Sequence, residues 1–226
     1  MRFLIVHAHH EPTSYNAALT HCAVEALAGV GHEVIVSDLY EMAFDPISDR
    51  RNFRSVANAD RLNQQDEEAH ASRTDGFAPA LQAEMDKVAW CDVLILQFPL
   101  WWLAPPAILK GWIDRVFALG RAYGGGRRFD TGIFKGKRAM CSVTIGGAAS
   151  AYSSEGVYAP VSSVLYPLNH GTLAFVGFDV MEPFVVHAPH RMTADERVTR
   201  LRQFCDRVLE IASAPTMGGS PKALGV

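Results

Sequence analysis

Apolar positions along the chain fall into short continuous runs separated by stretches of helical spacing, and that alternation is the strongest local signal. Phe3–Val6 is an apolar run of β-favouring type, and within Asn16–Ala28 the sets Ala18, Cys22, Ala26 and Leu19, Ala23, Leu27 recur at helical intervals. Gly29 and Gly31 stop this helix, and Glu33–Ser37 alternates polar and apolar residues as a second strand. Arg50–Thr74 is rich in Arg, Asn, Gln and Glu and poor in apolar residues, and reads as an inserted surface helix and loop. Ala78–Ala89 regains the helical pattern, and Val93–Leu96 is continuously apolar, as a strand buried on both faces would be. The pattern then predicts a helix over Ala107–Ala118, a strand over Arg138–Val143, a helix over Ser162–Phe175 and a fifth strand over Val180–Val186. A last helix is expected from near Thr193, where Thr193 and Glu196 form a capping box, to Ile211.

Strands alternating with helices imply an α/β, three-layer, doubly wound parallel sheet. Five strands suit the flavodoxin-like order 2-1-3-4-5 better than the six of a full dinucleotide fold. The expected organisation is one domain over residues 1–211, followed by a mobile tail over 212–226 that is rich in Gly, Pro and Ser. In such a sheet, ligands collect at the carboxyl ends of the strands where the strand order reverses. Three loops should converge there: His7–Asn16, Phe98–Pro106 and Thr144–Tyr158.

Composition narrows the classes of function. The 226 residues are 49% hydrophobic and 20% charged with a net charge of −3, so no global field draws nucleic acid or an anionic membrane, and any partner is recognised locally. Cys22, Cys91, Cys141 and Cys205 lie far apart without a C-x-x-C pair, so neither a zinc site nor a disulfide framework is expected. Two uncharged or nearly uncharged stretches, 93–109 and 156–178, are interrupted by prolines and, in the second, by Asn169 and His170, and no membrane span is expected. Without a leader-like segment at its start, the chain reads as cytoplasmic.

Each of the three loops carries candidate chemistry. In the first, Thr13, Ser14 and Asn16 stand at a helix start, where they can hold a phosphate or simply cap the helix. The cluster His7, His9, His10 has no carboxylate or thiolate set beside it, and no metal is expected. The second loop places Trp101 and Trp102 among three prolines just after a buried strand, which fits stacking of a planar ring, with core packing or a subunit contact as the alternatives. The third is small and Gly-rich around Gly146 and Gly147, so backbone can approach a ligand closely, and Tyr152 and Tyr158 supply phenol donors.

Taken together, His9-x5-Asn16, the segment Gln97-Phe98-Pro99-Leu100-x-Trp102-x3-Pro106-Ala107-Ile108-Leu109-Lys110-Gly111-Trp112 and Thr144-x-Gly146-Gly147-x4-Tyr152 resemble the NAD(P)H:quinone oxidoreductase (DT-diaphorase) family over residues 3–211. The resemblance implies a homodimer that holds FAD, with FMN the lesser alternative, and whose active sites are shared between subunits. By matching position, His9, Ser14, Tyr15 and Asn16 look like binders of the FAD phosphates and ribose. Pro99, Leu100, Trp101, Trp102 and Leu103, with Thr144, Ile145, Gly146 and Gly147, look like the cradle of the isoalloxazine. Tyr152 resembles the tyrosine at the pyrimidine end of the ring, Arg197 the arginine near the adenine, and Asp114 stands where the family usually has a glutamate reaching FAD across the dimer. Trp102, Leu103, Tyr123, Tyr158 and Phe175 resemble substrate-wall residues. The implied reaction is ping-pong: hydride passes from the nicotinamide C4 to flavin N5, and then to a quinone or related aromatic acceptor. Tyr152, Tyr158 and Gly146 are the residues expected nearest that chemistry, with the Tyr152 hydroxyl stabilising charge that develops on the reduced ring.

The chain departs from the family pattern in places. Tyr158 occupies the position of a usual histidine, and a phenol of ordinary pKa near 10, against about 6.5 for imidazole, donates a hydrogen bond but carries no positive charge at neutral pH. Trp101 replaces a usual glutamine, Leu103 a usual aromatic, and Gly124-Gly125-Gly126 a partly aromatic loop, which should change acceptor preference. The C-terminal extension of the large mammalian members is not expected here. Trp112 and Phe117 could serve a subunit contact or the core. Alternative functions compatible with the motifs are an azo or nitro reductase, a regulatory flavoprotein subunit of a potassium efflux system, and a one-electron carrier.

Overall fold

The structure is a computed structural model that describes residues 1–213. The expected mobile tail thus lies outside the described residues, apart from its first two positions, which continue the last helix. In chain order the elements are β1 (Arg2–His7), α1 (Tyr15–Gly29), β2 (Glu33–Asp38), α2 (Gln64–Thr74), α3 (Pro79–Trp90), β3 (Val93–Pro99), α4 (Ala107–Val116), β4 (Arg138–Ile145), α5 (Val161–Val164), α6 (Tyr166–Leu168), β5 (Asp179–Val180), β6 (Phe184–His187) and α7 (Ala194–Ser213). The sheet is parallel throughout in the order β2-β1-β3-β4-β5, with β6 also on β4. This is the flavodoxin-like order.

Each apolar run supplies both faces of the sheet, because successive side chains of a strand point to opposite sides. Leu4, Val6, Leu94, Leu96, Phe98 and Val143 pack with Leu81, Met85, Leu109 and Trp112 of α3 and α4. Phe3, Ile5, Val93, Ile95 and Met140 pack with Leu19, Leu27, Phe204, Val208 and Ile211 of α1 and α7. Trp112 and Phe117 are both buried, so they belong to the core and not to a subunit contact. The Trp112 indole N–H donates to the buried Glu84 carboxylate at 2.9 Å, which Lys87 also contacts. The capping box forms as expected: Thr193 N–H donates to Glu196 Oε2 at 2.7 Å and Glu196 N–H to Thr193 Oγ1 at 3.3 Å.

Four expectations need correction. The fifth strand is split. Ala139 pairs with Val180 and Ser142 with Phe184, so this strand carries one residue more than β4, a bulge next to Pro183, which has no N–H for the ladder. The helix expected over 162–175 is broken into α5, α6 and a π-helical turn Asn169–Ala174, with Pro167 early in it and Gly171 inside the turn. The segment 50–74 is not merely surface: Asn52, Phe53, Glu67, Glu68 and Ala71 are buried, and the Arg115 Nε–H donates to Asn52 Oδ1 at 2.7 Å. Lastly, Cys22 and Cys205 form a disulfide between α1 and α7, with Cα atoms 6.0 Å apart. Their separation by 183 positions hid the pair, since only the packing of the first helix on the last brings them together.

Candidate active site

The three loops do meet at the carboxyl edge of β1, β3 and β4, and a buried polar brace ties their roots. Gln97 Nε2 at the end of β3 donates to Asn16 Oδ1 at 2.9 Å, and Asn16 Nδ2 donates to Thr144 Oγ1 at the end of β4 at 2.8 Å. Leu100 N–H donates to the Thr144 carbonyl at 2.8 Å, joining the second loop to the third. Asn16 is buried, with both ends of its amide engaged, so its side chain braces the loops instead of lining an open phosphate site. Gln97, which sequence reasoning did not single out, completes that brace. Its Oε1 and the neighbouring Ser142 Oγ are buried without a hydrogen-bond partner among the described residues.

The first loop folds back on itself. Glu11 accepts from Thr13 N–H at 2.8 Å and from its hydroxyl at 2.6 Å, which holds the Glu11 carboxyl below its ordinary pKa. Ser14 caps α1, its Oγ accepting from Ala17 N–H at 3.1 Å. His9 Nδ1 accepts from Glu11 N–H at 3.0 Å, so the proton of the neutral ring sits on Nε2. Burial, reinforced by the adjacent His10, pushes the His9 pKa down. The result is a neutral imidazole beside a helix start, whose Nε2–H has no hydrogen-bond partner among the described residues. His9 also stacks on His10, and both rings tilt against Trp101.

The second loop is a two-residue reversal. Trp102 and Leu103 both have positive φ, +52° and +58°, while Trp101 and Ala104 pair across them. The backbone therefore displays the Trp102 indole outward, 99% exposed. Trp101 and Leu103 are exposed as well, which removes core packing as the reason for the paired tryptophans.

In the third loop a short turn, Ala149–Tyr152, turns the Tyr152 ring back over the glycines, where a Cβ on Gly147 would approach it to 3.0 Å. A Cβ at Gly146 would meet nothing, so that side of the strand end is open. Tyr152 stacks on Tyr158 with centroids 4.9 Å apart, and His187 tilts against it at 5.7 Å. Burial and the neighbouring Tyr158 phenol raise the Tyr152 pKa, which keeps its hydroxyl protonated as a donor. His187, at the end of β6, sits with its Nδ1 3.3 Å from the Gly147 carbonyl, and burial lowers its pKa. Its role beside Tyr152 is a consequence of the bulged fifth strand and has no local sequence signal.

The remaining expected residues fall into three places. Tyr15 Oη donates to the Arg197 carbonyl at 2.8 Å and Arg197 Nε to the Pro189 carbonyl at 3.2 Å, so these two meet beside the start of α1. Asp114 is exposed on α4 and pairs with Lys110 at 2.6 Å. Tyr123 and Phe175 neighbour each other at 6.3 Å, and Phe129 packs on Phe175. No ring contact or hydrogen bond among the described residues joins that pair to Trp102, Tyr152 or Tyr158. Among the described residues no group of three or more His, Cys, Asp and Glu side chains could hold a metal, and no helix is long and apolar enough to cross a membrane.

Comparison with known proteins identifies the architecture. The family model for the flavodoxin-like fold matches residues 1–210. A ribosyldihydronicotinamide dehydrogenase-like protein of Penicillium crustosum is 41% identical over 90% of this chain and 79% of its own length. The NAD(P)H dehydrogenase [quinone] 1 of Cavia porcellus is 39% identical over 99% of this chain and 82% of its own. A solved structure from Klebsiella pneumoniae, described as a proposed quinone reductase, superposes with a TM-score of 0.91 at 36% identity, covering 96% of this chain and 87% of that one.

Proposed function

This chain belongs to the NAD(P)H:quinone oxidoreductases of the flavodoxin-like fold, and on that premise we propose that it holds FAD and reduces a quinone by two electrons in a ping-pong cycle. The balance is NAD(P)H + H⁺ + quinone → NAD(P)⁺ + hydroquinone. The observation that carries this reading is the convergence of three braced loops around an open strand end that offers, together, an exposed indole, a protonated phenol and a neutral imidazole donor. That set of donors fits a flavin: apolar stacking for the ring, hydrogen bonds for its edge and an anion-tolerant helix start for its phosphates.

When bound, the flavin supplies a centre that accepts and returns a hydride. The residues of the chain do the rest. Trp102 and Leu103 present apolar surface to one side of the ring. The backbone of Thr144–Gly147 would take the ring edge, since Gly146 leaves that side of the strand end open. Tyr152, kept protonated, donates its hydroxyl where negative charge develops, and Tyr158 holds it by stacking. His9 would offer its Nε2–H to a phosphate oxygen. The Tyr15–Arg197 pair, set beside the start of α1, supports FAD over FMN because it provides a platform for an adenine half. Asp114, Tyr123 and Phe175 complete the site of a second copy in a homodimer, in keeping with their contacts to Lys110, Phe129 and each other and not to the loops of their own chain.

The test is a visible spectrum of the protein after incubation with FAD or FMN, then anaerobic addition of NADH, NADPH or dihydronicotinamide riboside, then a benzoquinone. Bleaching and full recolouring, with FAD the flavin retained on gel filtration, is the expected result. Retention of FMN alone overturns the FAD assignment, and initial-rate patterns of a ternary complex overturn the ping-pong cycle.

A further inference from the structure

We propose that Glu68 and Ser72, on the polar helix α2, are positioning residues that fix the Tyr123 loop and so set acceptor selectivity. The proposal rests on the reading of Tyr123 as a substrate wall. That loop is closed by its own backbone, Leu119 bridging to Tyr123 and Gly124 to Arg127, but its path runs through glycines. Tyr123 is followed by Gly124, Gly125 and Gly126, with φ of +136°, +61° and +74°, a backbone region where only glycine is comfortable. A wall residue entering three such positions needs an outside support.

The support comes from one face of α2. Glu68 Oε2 accepts from the Leu119 N–H at 2.6 Å, and the Ser72 hydroxyl donates to the Leu119 carbonyl at 2.7 Å. Side chains four positions apart stand one above the other on a helix, so this pair grips both backbone polar groups of a single loop residue. The chain then reverses through Gly120, whose φ is +86° and whose N–H donates to the Tyr123 carbonyl at 2.7 Å. A Cβ at Gly120 would come within 2.6 Å of Ser72 Oγ, so the approach of helix and loop is as close as the residues allow. The Tyr123 hydroxyl ends 3.5 Å from Glu68 Oε2 and 3.4 Å from Gln65 Nε2. Gln64 Nε2 donates to the other Glu68 oxygen at 2.8 Å and fixes the carboxylate.

Glu68 is 3% exposed, and among the described residues it has no salt bridge. Taking a carboxylate out of water without a cation is costly, and its oxygens are instead satisfied by hydrogen bonds to the loop and to α2. Glutamine in its place would keep an acceptor of the same shape for the Leu119 N–H, whereas alanine would release the loop. The clamp thus links a segment that reads as an insertion to the wall that decides which aromatic acceptor fits.

The experiment measures KM and kcat of the FAD-loaded enzyme for a small benzoquinone and a bulky naphthoquinone in wild type, Glu68→Gln, Glu68→Ala, Ser72→Ala, Tyr123→Ala and the combination of Glu68→Ala with Tyr123→Ala. The expected result is a rise of about tenfold in KM for Glu68→Ala, the size of one lost charge-assisted hydrogen bond, with kcat within about twofold. The ratio between the two acceptors should change, Ser72→Ala should give a smaller change of the same kind, and Glu68→Gln should restore most of the wild-type pattern. Adding Glu68→Ala to Tyr123→Ala should cost nothing further. If Tyr123→Ala itself leaves both acceptors unaffected, the substrate-wall reading fails and the proposal falls with it. If Tyr123→Ala matters but the α2 variants do not, the clamp alone is wrong. An equal loss for both acceptors that persists in the Tyr123→Ala background, or Glu68→Ala failing to fold while Ser72→Ala leaves the acceptor ratio unchanged, would make α2 merely structural and overturn it too.

Discussion

Trp101 and Ala104 exchange both of their backbone hydrogen bonds, each 3.0 Å long, across the two residues Trp102 and Leu103. With positive φ at both central positions this is the turn that hairpins build from Asn-Gly, made here from two bulky side chains. Such residues in the left-handed region cost roughly 1–3 kcal/mol each, and strain of this kind collects at ligand sites. Trp102→Gly should therefore raise stability by about 1 kcal/mol, read as a higher denaturant midpoint, while weakening flavin binding. A variant that loses stability and keeps flavin would show that the turn has no part in the site.

Tyr158 stacks on Tyr152 and sets a phenol, not an imidazole, beside it. Tyr158→His places an imidazole beside the Tyr152 hydroxyl, and protonated imidazole opposes the negative charge of a reduced ring. Flavin reduction followed by stopped flow should become several-fold faster below pH 6.5 and return towards the wild-type rate as the pH rises past it. A rate independent of pH in the variant would place residue 158 outside the reach of the reaction.

The thiols make a countable prediction. Cys91 and Cys141 are free and buried, and burial pushes each thiol pKa up to about 12, so neither should react with a thiol reagent in the native protein. Unfolding without reductant should expose two reactive thiols, and unfolding with reductant four, because Cys22 and Cys205 are paired. Four thiols without reductant would mean that the two helices carry separate cysteines.

Acid should destabilise the protein before its carboxylates titrate. His7 is buried, its Nδ1 2.9 Å from Thr20 Oγ1, and burial lowers its pKa despite the opposing pull of Asp38. His9 and His187 are shifted in the same direction by burial. A histidine with a depressed folded pKa binds fewer protons folded than unfolded, so stability is flat above about pH 6.5 and falls as pH drops from there through the folded value. Urea midpoints from pH 8 to 5 should show that fall, and His7→Asn should make it shallower. A midpoint that stays level to pH 5 would contradict the burial effect.

Much of this protein was legible in its sequence because the relevant information is local. Unbroken apolar runs such as Val93–Leu96 can only be strands covered on both faces, and the alternation of strand and helix leaves few topologies. From those two facts the sheet order and the edge where three loops gather both follow, and the spacing of the motifs at that edge was enough to suggest the family. What the tertiary structure alone decided concerns contacts between residues far apart in the chain. The brace of Asn16 by Gln97 and Thr144, the Cys22–Cys205 pair and the grip of Glu68 and Ser72 on Leu119 each depend on which helix packs where. A polar residue carries no local mark of its partner: Glu68 in a charged stretch looks solvated until a loop 51 positions away presents its N–H. Asn16 is a second case: a helix-start amide can face a ligand or the protein, and its side chain is turned to the protein by the end of a strand 128 positions away.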